Sequence, residues 1–498
     1  NDPFLYKAKA ELIKNSEVID QVDSRFGCRT FHFDKDKGFF LNGRSYPLRG
    51  VSRHQDRLGV GNAITKEMML EDMKLIKEVG ANTIRLAHYQ HDQYFYDLCD
   101  EYGIIVWAEI PYITEHMPEG RENTISQLRE LIVQNYNHPS IVCWGLSNEI
   151  SVAGITDDLI ENHRLLNELA HKLDKTRVTA MAHSFLLEMD DPLVFLPDVI
   201  SYNLYYGWYV GNLTDNNAFF DEFHKKYPDT IIGLAEYGAD ANPKYQTDKP
   251  EKGDYTEQYQ CVYHEHLLKM LEERPYIWSS YVWNMFDFGS DARNEGGKNG
   301  QNQKGLVTFD RKYKKDAFYL YKAHWSKEPF VHICGKNYID RHEDETEIKV
   351  YSNIDTVELY ENDILIEKKT GEKIFIFKLK LKNEHRLKAI AGDCTDEITI
   401  RKVSDPNKSY QIEGREVINW FDDPGMNCPK GYYSIKDTMA DICKSPEGAK
   451  ILDDMMNYLK SRRGGAAKSV KQPEFMKNII NAMTVARSRL DRKLLFYI

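Results

Sequence analysis

The chain has 498 residues, of which 42% are hydrophobic and 29% are charged, a composition typical of globular proteins and not of disordered chains. Its formal net charge of -11 argues against nucleic acid and against an anionic membrane surface as partners. No apolar run approaches the roughly 18 residues that a membrane-spanning helix needs.

The eight cysteines are scattered, with neither a CxxC pair nor the spacing of a zinc site. Cys99 and Cys143 lie in periodic apolar segments, which is typical of buried thiols in a reducing compartment. We therefore expect a cytoplasmic protein. Secretion stays open, because no signal peptide is visible but the sequence starts at Asn1 without a methionine, which suggests that the natural N-terminus is missing.

Residues 1–46 predict β structure. Val18–Val22 and Cys28–Phe33 read as strands, and Phe39–Arg44 contains the Asn-Gly pair typical of a hairpin turn. We interpret this region as the last strands of a larger β unit, followed by a hairpin that leads into the next domain.

Residues 47–328 alternate strands with helices. The segment Thr65–Val79 shows the helical pattern clearly, because Met69, Met73 and Ile76 recur at i, i+4 and i+7 and Gly80 follows as a stop signal. Eight strands with helical crossovers over about 280 residues match one (β/α)₈ barrel, the TIM barrel of the α/β class. A doubly wound open sheet is the competing topology, but it offers no reason for eight repeats. The strand candidates are Pro47–Arg53, Ala81–Ala87, Ile104–Ile110, Ser140–Leu146, Arg177–His183, Asp198–Leu204, Thr230–Ala235 and Ile277–Asn284.

The pattern changes after Trp325. Residues 329–405 contain short alternating strands and predict a small β-sandwich. Residues 406–498 predict a helical C-terminal tail, with one helix starting at Ser445-Pro446 and a last amphipathic helix marked by Phe475 and Ile479. We expect this tail to pack on the body of the protein or on a sister subunit.

Two glutamates end short apolar runs within the predicted barrel. Glu149 follows Ser140–Asn148, and Glu236 follows Thr230–Ala235. Such continuous apolar runs are typical of parallel strands that are covered on both faces. If both strands belong to one barrel, both carboxylates emerge at its C-terminal rim, where barrel enzymes place their chemistry. Two facing carboxylates are what the cleavage of a glycosidic bond requires.

Several sequence blocks resemble glycoside hydrolase family 2 and occur in the order of that family. They are Phe39–Asp56, Asn82–Tyr89, Asn137–Ser140, Trp144–Glu149 and Ala235–Gly238, and the resemblance covers about residues 20–330. It implies a retaining exo-β-glycosidase in which Glu149 is the acid/base, Glu236 is the nucleophile and Asn148 binds the sugar 2-hydroxyl. The family normally has a jelly-roll domain and an immunoglobulin-like domain before the barrel. Residues 1–46 would then be the remnant of the latter.

Further residues are assigned to the site at the level of hypotheses. We expect Arg85 and Tyr205 to donate to Glu236 and keep it ionised. Arg85 and His88 could instead be a rim ion pair, and His54 and Asp56 could be a structural pair. The aromatic run Tyr205, Tyr206, Trp208 and Tyr209 is interpreted as a sugar-stacking and nucleophile-positioning surface, to which Trp283 is added. Glu109, Glu115 and His116 depart from the metal-site spacing of the family's galactosidases, so they are interpreted as solvated loop residues and no metal site is predicted.

The sugar is suggested by two segments. Asn203–Tyr209 resembles β-glucuronidases, and Asn302 with Lys304 matches their Asn-x-Lys element, which grips the sugar carboxylate. The adjoining Lys304–Lys312 is shared with β-galactosidases, and a solvated Gly-rich loop is the alternative interpretation. A β-glucuronidase is therefore predicted, with a β-galactosidase or a catalytically weak carbohydrate-binding barrel as alternatives. No cofactor is required, although flavin or metal binding and assembly into a homo-oligomer stay open.

Overall fold

The computed structural model describes residues 3–291 and 293–414, Val417, and a few residues between 445 and 454. Most of the predicted helical tail over 406–498 lies outside these residues and stays a prediction. Within it, Lys408–Tyr410 forms a 3₁₀ turn. The Ser445 hydroxyl accepts a hydrogen bond from the Gly448 backbone N–H at 2.9 Å, as expected at a helix start.

The N-terminal region is built of β structure, as predicted. An exposed hairpin of β1 and β2 comes first, followed by a three-stranded sheet of β3, β4 and β5. Phe39 of β4 is buried and packs with Trp107 and Trp278 of the barrel, so this sheet is anchored to the barrel. The strands are β1 Tyr6–Lys14, β2 Glu17–Phe26, β3 Phe31–Asp34, β4 Gly38–Leu41 and β5 Arg44–Ser45.

The next eight strands form a closed parallel barrel, which confirms the predicted fold and excludes the open sheet. The last barrel strand pairs with the first, with Ser279 beside Leu48 and Val282 beside Val51. They are β6 Leu48–Arg53, β7 Thr83–Leu86, β8 Ile105–Glu109, β9 Ile141–Asn148, β10 Val178–Ser184, β11 Val199–Asn203, β12 Ile232–Tyr237 and β13 Ser279–Val282.

Helices cover the outside of the barrel. The first one begins and ends where the sequence predicts, because Thr65 Oγ1 accepts from the Met68 backbone N–H at 3.3 Å and Gly80 adopts a left-handed φ of 88°. Between β10 and β11 only a 3₁₀ turn, Pro192–Phe195, stands in place of a helix. The helices are α1 Lys66–Val79, α2 Gln93–Tyr102, α3 Arg121–Asn135, α4 Asp157–Leu173, α5 Asp215–Lys226, α6 Glu257–Glu272 and α7 Asp316–Trp325.

A short hairpin follows the barrel strands, and a separate two-sheet β unit follows α7. The hairpin pairs β14 with β15. The sandwich has its own hydrophobic core, which includes Ile348, Phe377 and Leu387, so the predicted sandwich is confirmed. Its strands and the hairpin are β14 Phe288–Gly289, β15 Gln301–Asn302, β16 Val331–Ile333, β17 Asp340–Arg341, β18 Glu345–Ser352, β19 Thr356–Glu361, β20 Ile364–Thr370, β21 Lys373–Lys380, β22 Glu384–Ala391 and β23 Cys394–Lys402. Across the part of the chain that the structure describes, no helix is long and apolar enough to cross a membrane.

Candidate active site

Glu236 lies near the end of β12 and is held on both oxygens. Arg85 from β7 donates through Nη1 to Glu236 Oε1 at 2.6 Å. The Tyr205 hydroxyl, which follows β11, donates to Oε2 at 2.8 Å. The structure therefore places both donors that the sequence predicts for this carboxylate at its two oxygens. Burial and the negative charges of Glu236 and Glu149 raise the pKa of Tyr205 well above its usual value, so it stays a donor.

Glu149 follows directly after β9 at the same rim of the barrel. Its backbone has a left-handed φ of 46°, which is strained for a residue with a side chain and is common at active sites. The preceding Asn148 accepts through Oδ1 from Arg85 Nη2 at 2.9 Å and from Asn203 Nδ2 at 3.1 Å. These two donors fix the orientation of the Asn148 amide. Arg85 links the Asn148–Glu149 side of the site to Glu236.

Arg85 is fully buried and joins the two sides of the site. Besides Glu236 and Asn148, it binds both oxygens of Glu109 at 3.0 Å each. Burial alone lowers the pKa of Arg85, but the charges of Glu109 and Glu236 outweigh burial, so the net pKa is raised. His88 bonds Glu109 through Nδ1 at 2.7 Å and places Nε2 3.8 Å from Glu236 Oε1.

Aromatic rings form the wall beside His88. Trp283 stacks on the His88 ring with centroids 4.9 Å apart and an interplanar angle of 17°. His54 meets Trp283 edge to face at 5.3 Å and lies 4.4 Å from the Phe288 ring. Burial and the positive neighbours of His54 lower its pKa well below the usual value, so His54 is neutral. Through His88, this wall adjoins Glu236.

Lys304 lies in a second buried cluster, next to the tyrosine that binds the nucleophile. Its Nζ donates to the Tyr209 hydroxyl at 2.6 Å and to Asp240 Oδ2 at 2.5 Å. Arg293 donates to the same Tyr209 oxygen at 2.5 Å and to Glu295 at 2.5 Å. Burial and the charge of Arg293 lower the pKa of Lys304 to about 8, although Asp240 acts in the opposite direction.

The side chains of two further predicted site residues, Asn302 and Asp56, each accept a hydrogen bond from the backbone. Asn302 is buried, and its Oδ1 accepts from the Lys304 backbone N–H at 3.1 Å, so it orders the Asn-x-Lys element. Because Asn302 and Lys304 are 4% and 0% exposed, the solvated-loop alternative is wrong. Asp56 accepts from the Gly289 backbone N–H at 2.8 Å and thereby tethers the hairpin of β14 and β15. Burial raises the pKa of Asp56.

Three sequence interpretations are corrected. Trp208 is fully buried and donates its indole N–H to Asp240 at 2.9 Å, so it cannot stack on a sugar. Glu109 is not a solvated loop residue, since it ends β8 fully buried against Arg85. The His116 side chain is buried, and its two ring nitrogens bond the Tyr112 hydroxyl at 2.5 Å and Asp158 of α4 at 2.6 Å.

Sequence reasoning missed Asp240, Arg293 and Glu295 as members of the site. Asp240 carried a usable signal, because it is a carboxylate four residues after Glu236 in the apolar context Ala239–Ala241. Arg293 and Glu295 carried none, since both stand in a Gly-rich polar stretch that is typical of solvated loops.

The barrel agrees with comparisons to known proteins. The family "Glycosyl hydrolases family 2, TIM barrel domain" matches residues 34–328, and the chain belongs to this family. A β-glucuronidase of Bacteroides fragilis is 43% identical over 386 residues, which cover 74% of this chain and 55% of that protein. A β-galactosidase of Thermoanaerobacter pseudethanolicus is 28% identical over 383 residues, covering 75% of this chain and 47% of that protein.

Solved structures similar to this chain also include β-glucuronidases. The crystal structure of an FMN-binding β-glucuronidase from Faecalibacterium prausnitzii L2-6 superposes with a TM-score of 0.81 and 46% identity, covering 82% of this chain and 64% of that chain. The chain spans about half the length of the curated relatives, 55% and 49% for the first two.

Proposed function

We propose that this chain carries the catalytic barrel of a retaining exo-β-glycosidase that acts by double displacement. The observation that carries the proposal is the grip on Glu236, whose two oxygens accept from Arg85 at 2.6 Å and Tyr205 at 2.8 Å. This geometry suits a carboxylate that attacks the anomeric carbon. Glu149, on a strand that ends at the same rim, would protonate the departing oxygen.

The two steps use the same pair of glutamates. When Glu236 forms the glycosyl ester, its negative charge disappears, and Glu149, now without its proton, can take one from the water that hydrolyses the ester. Asn148 is oriented by Arg85 and Asn203, so its amide can donate to the sugar 2-hydroxyl. A retaining site requires a separation of roughly 5–5.5 Å between the two carboxyl groups.

The proposed substrate is a terminal β-glucuronide. The support is Lys304, a buried cation whose Nζ lies 5.8 Å from the centre of the Tyr205 ring, next to the nucleophile. A charge-assisted bond to the sugar carboxylate at C6 would favour a glucuronide over a neutral sugar. A β-galactosidase is the second candidate, because Lys304 already has a carboxylate partner in Asp240 at 2.5 Å and a β-galactosidase is among the relatives.

Hydrolysis of chromogenic β-glucuronide and β-galactoside by the purified chain tests the proposal. The glucuronide should have the higher kcat/KM, and Glu236→Gln, which keeps the shape of the site, should abolish both activities. Turnover of the galactoside alone would favour the second candidate. Binding of free glucuronate without turnover of either substrate would instead favour the third one, a carbohydrate-binding barrel.

We further propose that hydrolysis needs no cofactor, since side chains supply both the nucleophile and the proton. Activity should therefore survive dialysis against a chelator, and the absorbance and fluorescence of the purified protein test whether flavin is bound. A cytoplasmic location is supported by the six described cysteines, all of which are free thiols. Light scattering measures whether the chain forms a homo-oligomer.

A further inference from the structure

Asp240 binds Lys304 within a rigid set of hydrogen bonds. Its Oδ2 accepts from Lys304 Nζ at 2.5 Å and from the Trp208 indole N–H at 2.9 Å, while Oδ1 accepts from the Gln303 backbone N–H at 2.9 Å. The side chain is buried, and these donors fix the plane of its carboxylate. A fixed carboxylate in turn fixes the direction in which the Lys304 ammonium points.

Two of the three N–H bonds of the Lys304 ammonium are engaged by protein. One goes to Asp240 and the other goes to the Tyr209 hydroxyl at 2.6 Å. The third is left for an oxygen of the substrate. The centre of the Tyr205 ring, whose hydroxyl donates to Glu236, lies 5.8 Å from Nζ, so the ammonium is next to the residue that binds the proposed nucleophile.

Besides fixing the direction of the Lys304 ammonium, Asp240 stabilises its positive charge. Arg293 shares the Tyr209 hydroxyl with Lys304 and repels its positive charge, while Glu295 pairs with Arg293 at 2.5 Å. Burial and Arg293 lower the pKa of Lys304 to about 8, and Asp240 is the carboxylate in direct contact that opposes them. Without Asp240, the ammonium would lose its proton at a lower pH.

We propose that Asp240 is a positioning residue that keeps the Lys304 ammonium charged and aimed at the carboxylate of an anionic sugar, so that Asp240 sets substrate specificity without touching the substrate. This inference rests on the proposed glucuronide function and goes beyond it. It assigns a role to a residue that is 64 positions away from Lys304 in the sequence.

The test compares Asp240→Asn with the unchanged chain on chromogenic β-glucuronide and β-galactoside over a range of pH. The variant should lose about tenfold to a hundredfold in kcat/KM on the glucuronide, mainly through KM, and change little on the galactoside. In the unchanged chain, kcat/KM for the glucuronide should fall as the pH rises through about 8. In Asp240→Asn this alkaline limb should move to lower pH.

Asp174, which caps the C-terminus of α4 just before β10, provides a matched control at the opposite end of the barrel. It accepts from the Trp144 indole N–H at 3.1 Å, Arg177 Nη1 at 2.7 Å and the Thr176 backbone N–H at 2.8 Å, the same kinds of donor that Asp240 has. Asp174→Asn should lower the stability of the fold but leave the ratio of the two activities unchanged. Asp240→Glu keeps the charge with a longer arm, so its alkaline limb should stay near that of the unchanged chain.

The outcomes separate the inference from the function on which it rests. If Asp240→Asn behaves like Asp174→Asn, with equal losses on both substrates and an unmoved alkaline limb, Asp240 is only structural and the inference is wrong. If Lys304→Ala also lowers both activities equally, the glucuronide function itself fails and the inference fails with it. If Lys304→Ala impairs only the glucuronide while Asp240→Asn leaves the ratio unchanged, the inference alone fails.

Discussion

Two buried clusters of cations and carboxylates lie side by side at the rim of the barrel, and they differ in how their charge responds to pH. In the first, Arg85 lies between Glu109 and Glu236, and its guanidinium cannot lose its proton in the working range. In the second, Lys304 and Arg293 face two carboxylates, and the pKa of Lys304 is only about 8. The positive charge of the first cluster is therefore constant over the working pH range, which suits catalysis. The positive charge of the second cluster changes with pH, so substrate recognition there can depend on pH.

The boundary between the clusters falls between two tyrosines of one loop. Tyr205 and Tyr209 have ring centroids 5.1 Å apart. The Tyr205 hydroxyl donates to Glu236, whereas the Tyr209 hydroxyl accepts from Lys304 and Arg293. Substitutions on the Arg85 side should therefore lower the turnover of every substrate. Substitutions on the Lys304 side should lower the turnover of anionic sugars selectively.

The largest effect is expected from the proposed nucleophile itself. Glu236→Ala should lower kcat by about four to six powers of ten, because no covalent intermediate can form. Azide should restore turnover and give a product inverted at the anomeric centre. Glu149→Ala should instead retain activity on substrates with good leaving groups, which need no proton. Steady-state kinetics and the configuration of the azide products measure both, and identical behaviour of the two variants would contradict the assigned roles.

Arg85→Lys should give the next largest loss. Lysine keeps the positive charge but cannot reach Glu109, Glu236 and Asn148 at once, so kcat/KM should fall about a hundredfold to a thousandfold on both substrates. Arg177→Lys is the control, since Arg177 is also a buried arginine, at the other end of the barrel. Its activity per folded molecule should stay unchanged. Normal turnover by Arg85→Lys would mean that Arg85 does not prepare Glu236.

The barrel could be predicted because its signals are local. Strands such as β9 and β12 are short, mainly apolar runs, and α1 has both a cap at Thr65 and a stop at Gly80 within its own segment. The two glutamates followed from the same logic, since residues at the ends of parallel strands share one rim. The 3₁₀ turn Pro192–Phe195 is harder to predict from the sequence, because short connections carry little periodicity.

The partners of the site residues could not be predicted in the same way. Glu109 is 24 positions from Arg85, and Arg293 is 84 positions from Tyr209, so only the closed barrel brings them together. Burial also reverses expectations that rest on polarity. Glu109 reads as a solvated residue from its charge alone, yet two bonds from Arg85 compensate its removal from water.

Lys304→Ala is expected to act selectively. If Lys304 grips the sugar carboxylate, this variant should lose about one to two powers of ten in kcat/KM on the β-glucuronide and much less on the β-galactoside. The substitution also leaves Asp240 without its cation, so thermal unfolding of the variant should be measured alongside activity. Equal losses on both substrates would assign Lys304 to the scaffold and favour the β-galactosidase.

The smallest expected effects come from the two tyrosines at the boundary. Tyr205→Phe removes the hydroxyl that donates to Glu236 Oε2 at 2.8 Å, so both substrates should lose about tenfold in kcat. Tyr209→Phe removes the oxygen that accepts from Lys304 and Arg293, so the Lys304 ammonium is held less firmly in its orientation. The kcat/KM on the glucuronide alone should therefore fall by up to about tenfold. The two variants delete the same atom four residues apart, so each is the control for the other. Identical substrate profiles would mean that the clusters act as one, whereas a loss on both substrates for Tyr205→Phe and on the glucuronide alone for Tyr209→Phe would place the division between chemistry and recognition at these two hydroxyls.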